Sequence, residues 1–170
     1  MPLPPSEKKQ LTFAGVLFGL AILFFVLFGP SERVALEYFY DESEQKLFTA
    51  PAGSIPPIKG INDNQLDGVR AIVIAPKGKR GDESAHRIAY LEKWSAQLKQ
   101  HMEAVTRARA AGQAMPNIVD RSQRKVHHFV RRTDSPQWYT MNTDEAAKIM
   151  ATLRTKDAQG KIPEICMPNR

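Results

Sequence analysis

The stretch VRAIVIA, residues 69–75, decides how the polar part of this 170-residue chain folds. It is mostly apolar and rich in β-branched side chains, and Arg70 is its one charged residue. A run of this kind is typical of a central β-strand that is covered on both faces. We therefore expect residues 69–75 to be the core strand of a small domain.

The residues before this strand predict a hairpin and an extended connector. LEYFY (residues 36–40) and KLFTA (residues 46–50) flank the polar loop DESEQ (residues 41–45), whose length suits a hairpin. Residues 51–64 then contain three prolines, which exclude a helix interior or a central strand. We expect an extended connector there.

The residues after the core strand predict one long helix over residues 82–111. Acidic residues favour its N-terminus, and Gly112 with Pro116 ends it. Its apolar residues recur at spacings of three and four and should form one stripe that faces the core: Ile88, Leu91, Trp94, Leu98, Met102 and Val105.

A second hairpin and a shorter helix complete the expected domain. KVHHFVRR (residues 125–132) should pair with QWYTM (residues 137–141), and NTDE (residues 142–145) resembles a capping box that opens a helix. Because the order of strands and helices is mixed, we predict an α+β domain over residues 31–170. It should have about four to five mostly antiparallel strands and two helices.

The N-terminal segment LTFAGVLFGLAILFFVLF, residues 11–28, lies in a charge-free window from residue 10 to residue 31. At about 1.5 Å per residue a helix of this length reaches roughly 27 Å, close to the roughly 30 Å core of a bilayer. A cleaved signal peptide has a shorter apolar core, and the only cysteine, Cys166, is too distant for a lipoprotein signal. We therefore predict an uncleaved transmembrane helix at residues 11–29.

The flanking charges predict its orientation. Lys8 and Lys9 precede the span, and Arg33 is the only base close behind it. By the positive-inside rule, residues 1–10 are expected in the cytoplasm and residues 31–170 outside it, on the periplasmic side in a Gram-negative type of envelope. Gly15 and Gly19 form a small-xxx-small pattern, which favours packing of the span against a second copy or another membrane protein.

The charge of the chain is +6 and is concentrated in its middle, where residues 77–132 carry thirteen bases and five acids. The loop PKGKRG, residues 76–81, should lie between a strand and a helix, where it could hold an anion or be a plain basic turn. We expect a basic partner surface made of Lys77, Lys79, Arg80, Arg107, Arg109, Arg121, Arg124, Lys125, Arg131 and Arg132.

Its expected partners are anionic lipid headgroups, acidic cell-wall polymers or an acidic protein face. The predicted topology disfavours nucleic acid, although basic patches of this kind do neutralise phosphates. A surface that only keeps the domain soluble is the remaining alternative.

The histidines and the cysteine indicate no metal or cofactor. His127 and His128, as neighbours on a strand, would point to opposite faces, and His86 and His101 would lie roughly 22 Å apart along the long helix. No cluster has zinc spacing. Cys166 is a candidate for a disulfide with a partner chain or for simple burial.

Four short motifs carry a resemblance: YFYD (residues 38–41), LFTAP (residues 47–51), IPPI (residues 55–58) and GVRA (residues 68–71). In these the chain resembles a family of short, N-terminally membrane-anchored proteins of planctomycete-type bacteria, which has no assigned activity. Some members carry a cysteine pair just after the strand, where this chain has APKG (residues 75–78). The resemblance implies a fold and a place in the envelope, and that departure argues against a metal or redox role there.

No catalytic motif stands out, so we expect a noncatalytic binding, scaffold or accessory subunit of a membrane-associated assembly. An anchored enzyme with a nonstandard site is the alternative, with Cys166, His127 and His128 as its candidate residues. A pilin-like filament subunit is a further alternative, although Pro30 would interrupt the continuous helix that such subunits require.

Overall fold

The computed structural model describes residues 17–24, 34–62, 64–116 and 120–168. Within this part of the chain, seven antiparallel strands form one sheet. The chain divides into two units, Met1–Val34 and Ala35–Arg170, and the sheet belongs to the second. The predicted α+β class is confirmed, with more strands and helices than the sequence indicated.

The strands run in the order β2-β1-β3-β4-β5-β6, and β7 pairs with β3. Their bounds are β1 Leu36–Asp41, β2 Lys46–Pro51, β3 Gly68–Ala75, β4 Arg87–Trp94, β5 His128–Arg131, β6 Tyr139–Thr140 and β7 Glu164–Ile165. The helices of this unit are α2 Ala96–Ala110, α3 Arg121–Val126 and α4 Asp144–Met150, with 3-10 helices at Glu83–Ala85 and Ala151–Arg154.

In the first unit, residues 17–24 are helical and form α1. The rest of the predicted span 11–29, including Gly15, lies outside the described residues. In the portion that is described, no helix combines the length and the apolar character that a membrane crossing needs. Among the described residues, and apart from the neighbouring backbone of α1 itself, a methyl group added to Gly19 would meet no atom within 4 Å.

The core strand, the first hairpin and the proline connector are confirmed. Asp41, at the end of β1, is fully buried and fixes the hairpin turn to the connector. Its Oδ1 accepts hydrogen bonds from the Glu44 N–H at 2.8 Å and the Ser43 hydroxyl at 2.9 Å, and its Oδ2 accepts one from the Ile61 N–H at 2.6 Å. The bonds from the Glu44 and Ile61 amides hold the pKa of Asp41 below its ordinary value.

The predicted long helix over residues 82–111 is wrong in its first half. Residues 87–94 form β4, and α2 begins only after Ser95, whose hydroxyl oxygen accepts the Leu98 N–H at 3.2 Å as an N-cap. Tyr90, Leu91 and Glu92 are buried in succession because β4 is covered on both faces. Such a strand lacks the alternation that separates strands from helices, so its apolar residues imitated a helical stripe.

The second hairpin is shorter than predicted. Lys125 belongs to α3, His127 is the residue that ends α3, and only residues 128–131 and 139–140 are strands. The shorter helix is confirmed as α4, where the Thr143 hydroxyl oxygen accepts the Ala146 N–H at 3.3 Å.

The sheet buries side chains on both faces. One face gathers Val69, Ala71, Val73 and Leu91 around Cys166. The opposite face packs Tyr90 and Val130 against the buried residues of α4, Ala146 and Ile149. Two apolar layers around one sheet explain why β3 and β4 read as continuous apolar runs.

Leu91 tests this arrangement because its side chain is completely buried in the middle of the sheet. We expect Leu91→Ala to lower the free energy of unfolding of a fragment 35–170 by about 2–5 kcal/mol, since the deletion leaves a cavity. The matched control is Leu66→Ala, at a residue that is 57% exposed, which should cost less than about 0.5 kcal/mol. Urea unfolding measures both, and equal losses would contradict the described core.

Candidate functional site

Four charged or titratable side chains on adjacent strands form a cluster on one face of the sheet. They are Glu37 on β1, Arg70 on β3, Glu92 on β4 and His128 on β5, and we call them the four-strand charge cluster. The register places Arg70 directly opposite Glu92, so their side chains share a face. The side chains are between 11% and 25% exposed.

Each member of this cluster contacts another member. The Arg70 guanidinium lies 3.1 Å from Glu37 through Nε and 3.1 Å from Glu92 through Nη1. His128 Nε2 lies 3.1 Å from the second carboxylate oxygen of Glu92, and the His128 ring packs against the Trp94 ring at a tilt of 43°, with 3.7 Å between the ring centroids. The contacts therefore form one continuous chain across four strands.

Ionisation of Glu92 depends on these neighbours. Burial by itself raises the pKa of Glu92, but the hydrogen bonds and charges of His128 and Arg70 outweigh it, so that the pKa lies below its ordinary value. Arg70 also donates from Nη2 to the Ser54 carbonyl at 3.0 Å. All three guanidinium nitrogens thus contact protein atoms, and the charge of Arg70 is balanced by carboxylates of the same domain.

A cavity of about 150 Å³ borders this cluster. It lies at the edge of β3, where β1 pairs with the first half of the strand and β7 with the last two residues. Arg70 and the two glutamates line one part of it, and Ile165, Cys166 and Met167 line another. Because the charged groups of the cluster form ion pairs with one another, those that line the cavity are already paired.

A second cluster lies on the opposite face. Arg131 Nη2 contacts Glu42 at 2.7 Å, and Lys93 Nζ lies 3.9 Å from the same carboxylate. Both cations approach the Trp138 ring, at 4.1 Å for Lys93 and 5.0 Å for Arg131. Burial, with the charge of Arg131, lowers the pKa of Lys93, although Glu42 opposes the shift.

The second cluster corrects one prediction, because Arg131 is only 9% exposed and lies inside the domain. Arg132 is exposed and binds Asp134 at 2.6 Å. Other members of the predicted basic surface are exposed, in three separate places along the chain: Lys77, Lys79 and Arg80 in the β3–β4 connection, Arg107 and Arg109 in the last turn of α2, and Arg124 and Lys125 in α3. Arg121 is the first residue of α3.

The loop PKGKRG does not precede a long helix, so the helix N-terminus on which the anion-binding alternative rested does not follow it. It leads into the 3-10 helix Glu83–Ala85 and then into β4. Its Gly78 N–H donates to a carboxylate oxygen of Glu164 at 3.1 Å, so one backbone donor of the turn already has an acidic partner. The basic side chains of the loop remain exposed.

The histidines are not arranged as predicted. His127 and His128 are not neighbours on one strand, because His127 ends α3 and its Nδ1 lies 3.0 Å from the Ser95 hydroxyl. His86 lies outside the helix that contains His101. In the described parts of the chain, no group of three or more His, Cys, Asp or Glu side chains could hold a metal ion.

Cys166 is a free thiol that is 2% exposed, directly after β7. Its N–H donates to the Val73 carbonyl at 2.8 Å. Burial raises the pKa of the thiol, Arg80 opposes this and Glu164 adds to it. A disulfide with a second chain would require this edge of the sheet to open, so the position favours burial among the alternatives.

Sequence reasoning missed both charge clusters. Arg70 stands between apolar residues of a strand and Glu92 follows the apolar residues 88–91, and this was the available signal. This signal was overlooked for Glu92 because the residue lies in the helix that the sequence predicted over residues 82–111. Comparisons of the chain with protein-family models, with curated proteins and with solved structures found no match.

The pairing of Arg70 with Glu92 can be tested by a double-mutant cycle. Arg70→Met should lower the free energy of unfolding by about 3 kcal/mol because it leaves buried carboxylates without their cation. Arg70→Met combined with Glu92→Met should cost less than the sum of the two single variants, since Glu92 can no longer be left as an unpaired buried charge and only Glu37 loses its cation. Urea unfolding measures the cycle, and strict additivity would show that the two groups do not interact.

The lowered pKa of Glu92 predicts a pH dependence with a definite sign. The group adds stability above its ordinary pKa of 4.5, and the contribution disappears as the pH falls through the lowered value in the folded state. We expect Glu92→Gln to make the loss of stability below about pH 4.5 less steep. The exposed Glu44→Gln serves as the control, and identical acid unfolding curves for both variants would contradict the assignment.

Proposed function

We propose that this chain is a single-pass, membrane-anchored envelope protein that displays a small α+β unit as a noncatalytic binding, scaffold or accessory subunit. One observation carries the proposal: the charge-free apolar run of residues 11–28 stands immediately before the sheet unit. Six residues, 30–35, separate the end of the predicted span from β1. A linker of that length spans at most about 20 Å, so the unit would work at the membrane surface.

The chemistry of the sheet unit supports a binding role. General acids, bases and nucleophiles need to face a substrate. In both charge clusters the groups face one another instead, as in the contacts of Arg70 with Glu92 and of Arg131 with Glu42. Ser95 and His127 are within hydrogen-bond distance, but the serine oxygen also caps α2.

Cell fractionation followed by co-purification tests the proposal. We expect the full chain to stay with the membrane after an alkaline carbonate wash, to dissolve in mild detergent and to bring a stoichiometric companion protein. Deletion of residues 11–28 is the control and should release the chain into the aqueous fraction. A periplasm-specific reporter fused after Arg170 should be active if the predicted orientation holds.

Two outcomes would contradict this function: recovery of the full-length chain in the aqueous fraction, or a mature protein that begins after residue 30. A further experiment tests whether the companion binds to the span or to the sheet unit. Gly15→Ile with Gly19→Ile should remove the companion only if the span carries the contact. If the sheet unit carries it, the companion should remain.

A further inference from the structure

We propose that the sheet unit rests on anionic lipid headgroups of the membrane that anchors it. The contact is made by one end of the sheet, where a basic loop and three exposed apolar side chains lie together. We call this surface the headgroup edge, and it consists of Lys77, Lys79, Arg80, Ile162, Ile165 and Met167. The inference rests on the proposed function, because it requires the anchor.

The headgroup edge lies where the chain enters the sheet. β1 and β3 are antiparallel with Phe39 opposite Arg70, so β1 begins toward the end at which β3 finishes and the basic loop starts. Side-chain contacts agree with this. The Tyr38 ring lies 6.2 Å from the His86 ring, and His86 Nε2 lies 2.9 Å from the Arg80 carbonyl oxygen.

The basic loop presents three exposed cations, Lys77, Lys79 and Arg80. Three carboxylates lie beside the loop, those of Asp82, Glu83 and Glu164. Glu164 accepts the Gly78 N–H, and Asp82 accepts the N–H and the hydroxyl of Ser84. These bonds hold the turn in place. A membrane surface that contains anionic lipids attracts Lys and Arg side chains over about one Debye length.

The apolar part of the headgroup edge lies beside the basic loop. β7 pairs with the last two residues of β3, so Ile165 stands close to the start of the loop. Ile165 and Met167 are 47% and 52% exposed and alternate with Cys166, which is buried, and Ile162 is 48% exposed. Exposed apolar side chains next to lysine and arginine are the combination that binds membrane interfaces.

The other end of the sheet carries charges of both signs, because α3 with its exposed Arg124 and Lys125 leads into β5 there. The β1–β2 turn carries Glu42 and Glu44, and Glu42 is engaged by Arg131. In the proposed anchored form, the six residues between the predicted span and β1 would hold the start of β1 within about 20 Å of the end of the span. This tether raises the local concentration of headgroups at the basic loop far above that of a diffusing protein partner, which is why we assign the surface to lipid.

Fluorescence quenching in nanodiscs tests the contact with the full chain. The variant Ile165→Cys, made in a Cys166→Ser background, carries a bimane label, and the bilayer contains spin-labelled phosphatidylcholine as the quencher. Met167→Cys is the second labelling position in case the first variant folds poorly. Glu44→Cys in the same background is the matched control at the opposite end of the sheet.

We expect quenching at residues 165 and 167 and none at residue 44 when phosphatidylglycerol is present. Exchange of Lys77, Lys79 and Arg80 for glutamine should reduce the quenching at residues 165 and 167 to the level at residue 44, and so should high salt. Full quenching in neutral bilayers despite these changes would overturn the role of the cations. No quenching at residues 165 and 167, with the chain still in the nanodisc, would overturn the lipid contact.

The same nanodisc sample distinguishes a failure of the lipid contact from a failure of the proposed membrane anchor. A chain that fails to stay in the nanodisc contradicts the anchor itself. A chain that stays, but whose label at residue 165 is shielded only when the co-purified companion is added, shows that a protein covers the edge and overturns the inference alone.

Discussion

The hydrogen bonding of β3 on both of its edges is the constraint on which the rest of the unit depends. One edge pairs with β4, whereas the other is shared, with β1 bound to the first residues of the strand and β7 to the last two. Because the shared edge holds two separate partners, it leaves the cavity beside Arg70. The four-strand charge cluster follows from the same pairing, since Arg70 meets Glu92 only when the β3–β4 register is set.

Local patterns predicted the elements whose signals are themselves local. The core strand, the first hairpin, the proline connector and α4 follow from β-branched runs, turn residues and a cap within a few positions. The assignment failed for residues 87–94, because burial on both faces removes the period of two on which strands are recognised. The end of the predicted helix at Gly112 was nevertheless close, since α2 ends at Ala110.

The candidate site was predictable only in part, for a physical reason. Exposed bases such as Lys77 and Lys79 can be found from their density along the chain, and the structure leaves them exposed. Whether a base is free or paired depends on its neighbours across the sheet. Arg131 was assigned to the surface although Glu42, 89 residues earlier, binds it in the interior. Spacing in sequence carries no information about such a partner.

The position of β7 affects the biosynthesis of this protein. The backbone of residues 164–166 completes the shared edge of β3, and Cys166 closes the core of one face of the sheet. A nascent chain therefore lacks this part of its core while those residues are still inside the ribosome. That edge of β3 stays unfilled until translation has passed residue 166, and a chaperone that protects the nascent sheet would act on it.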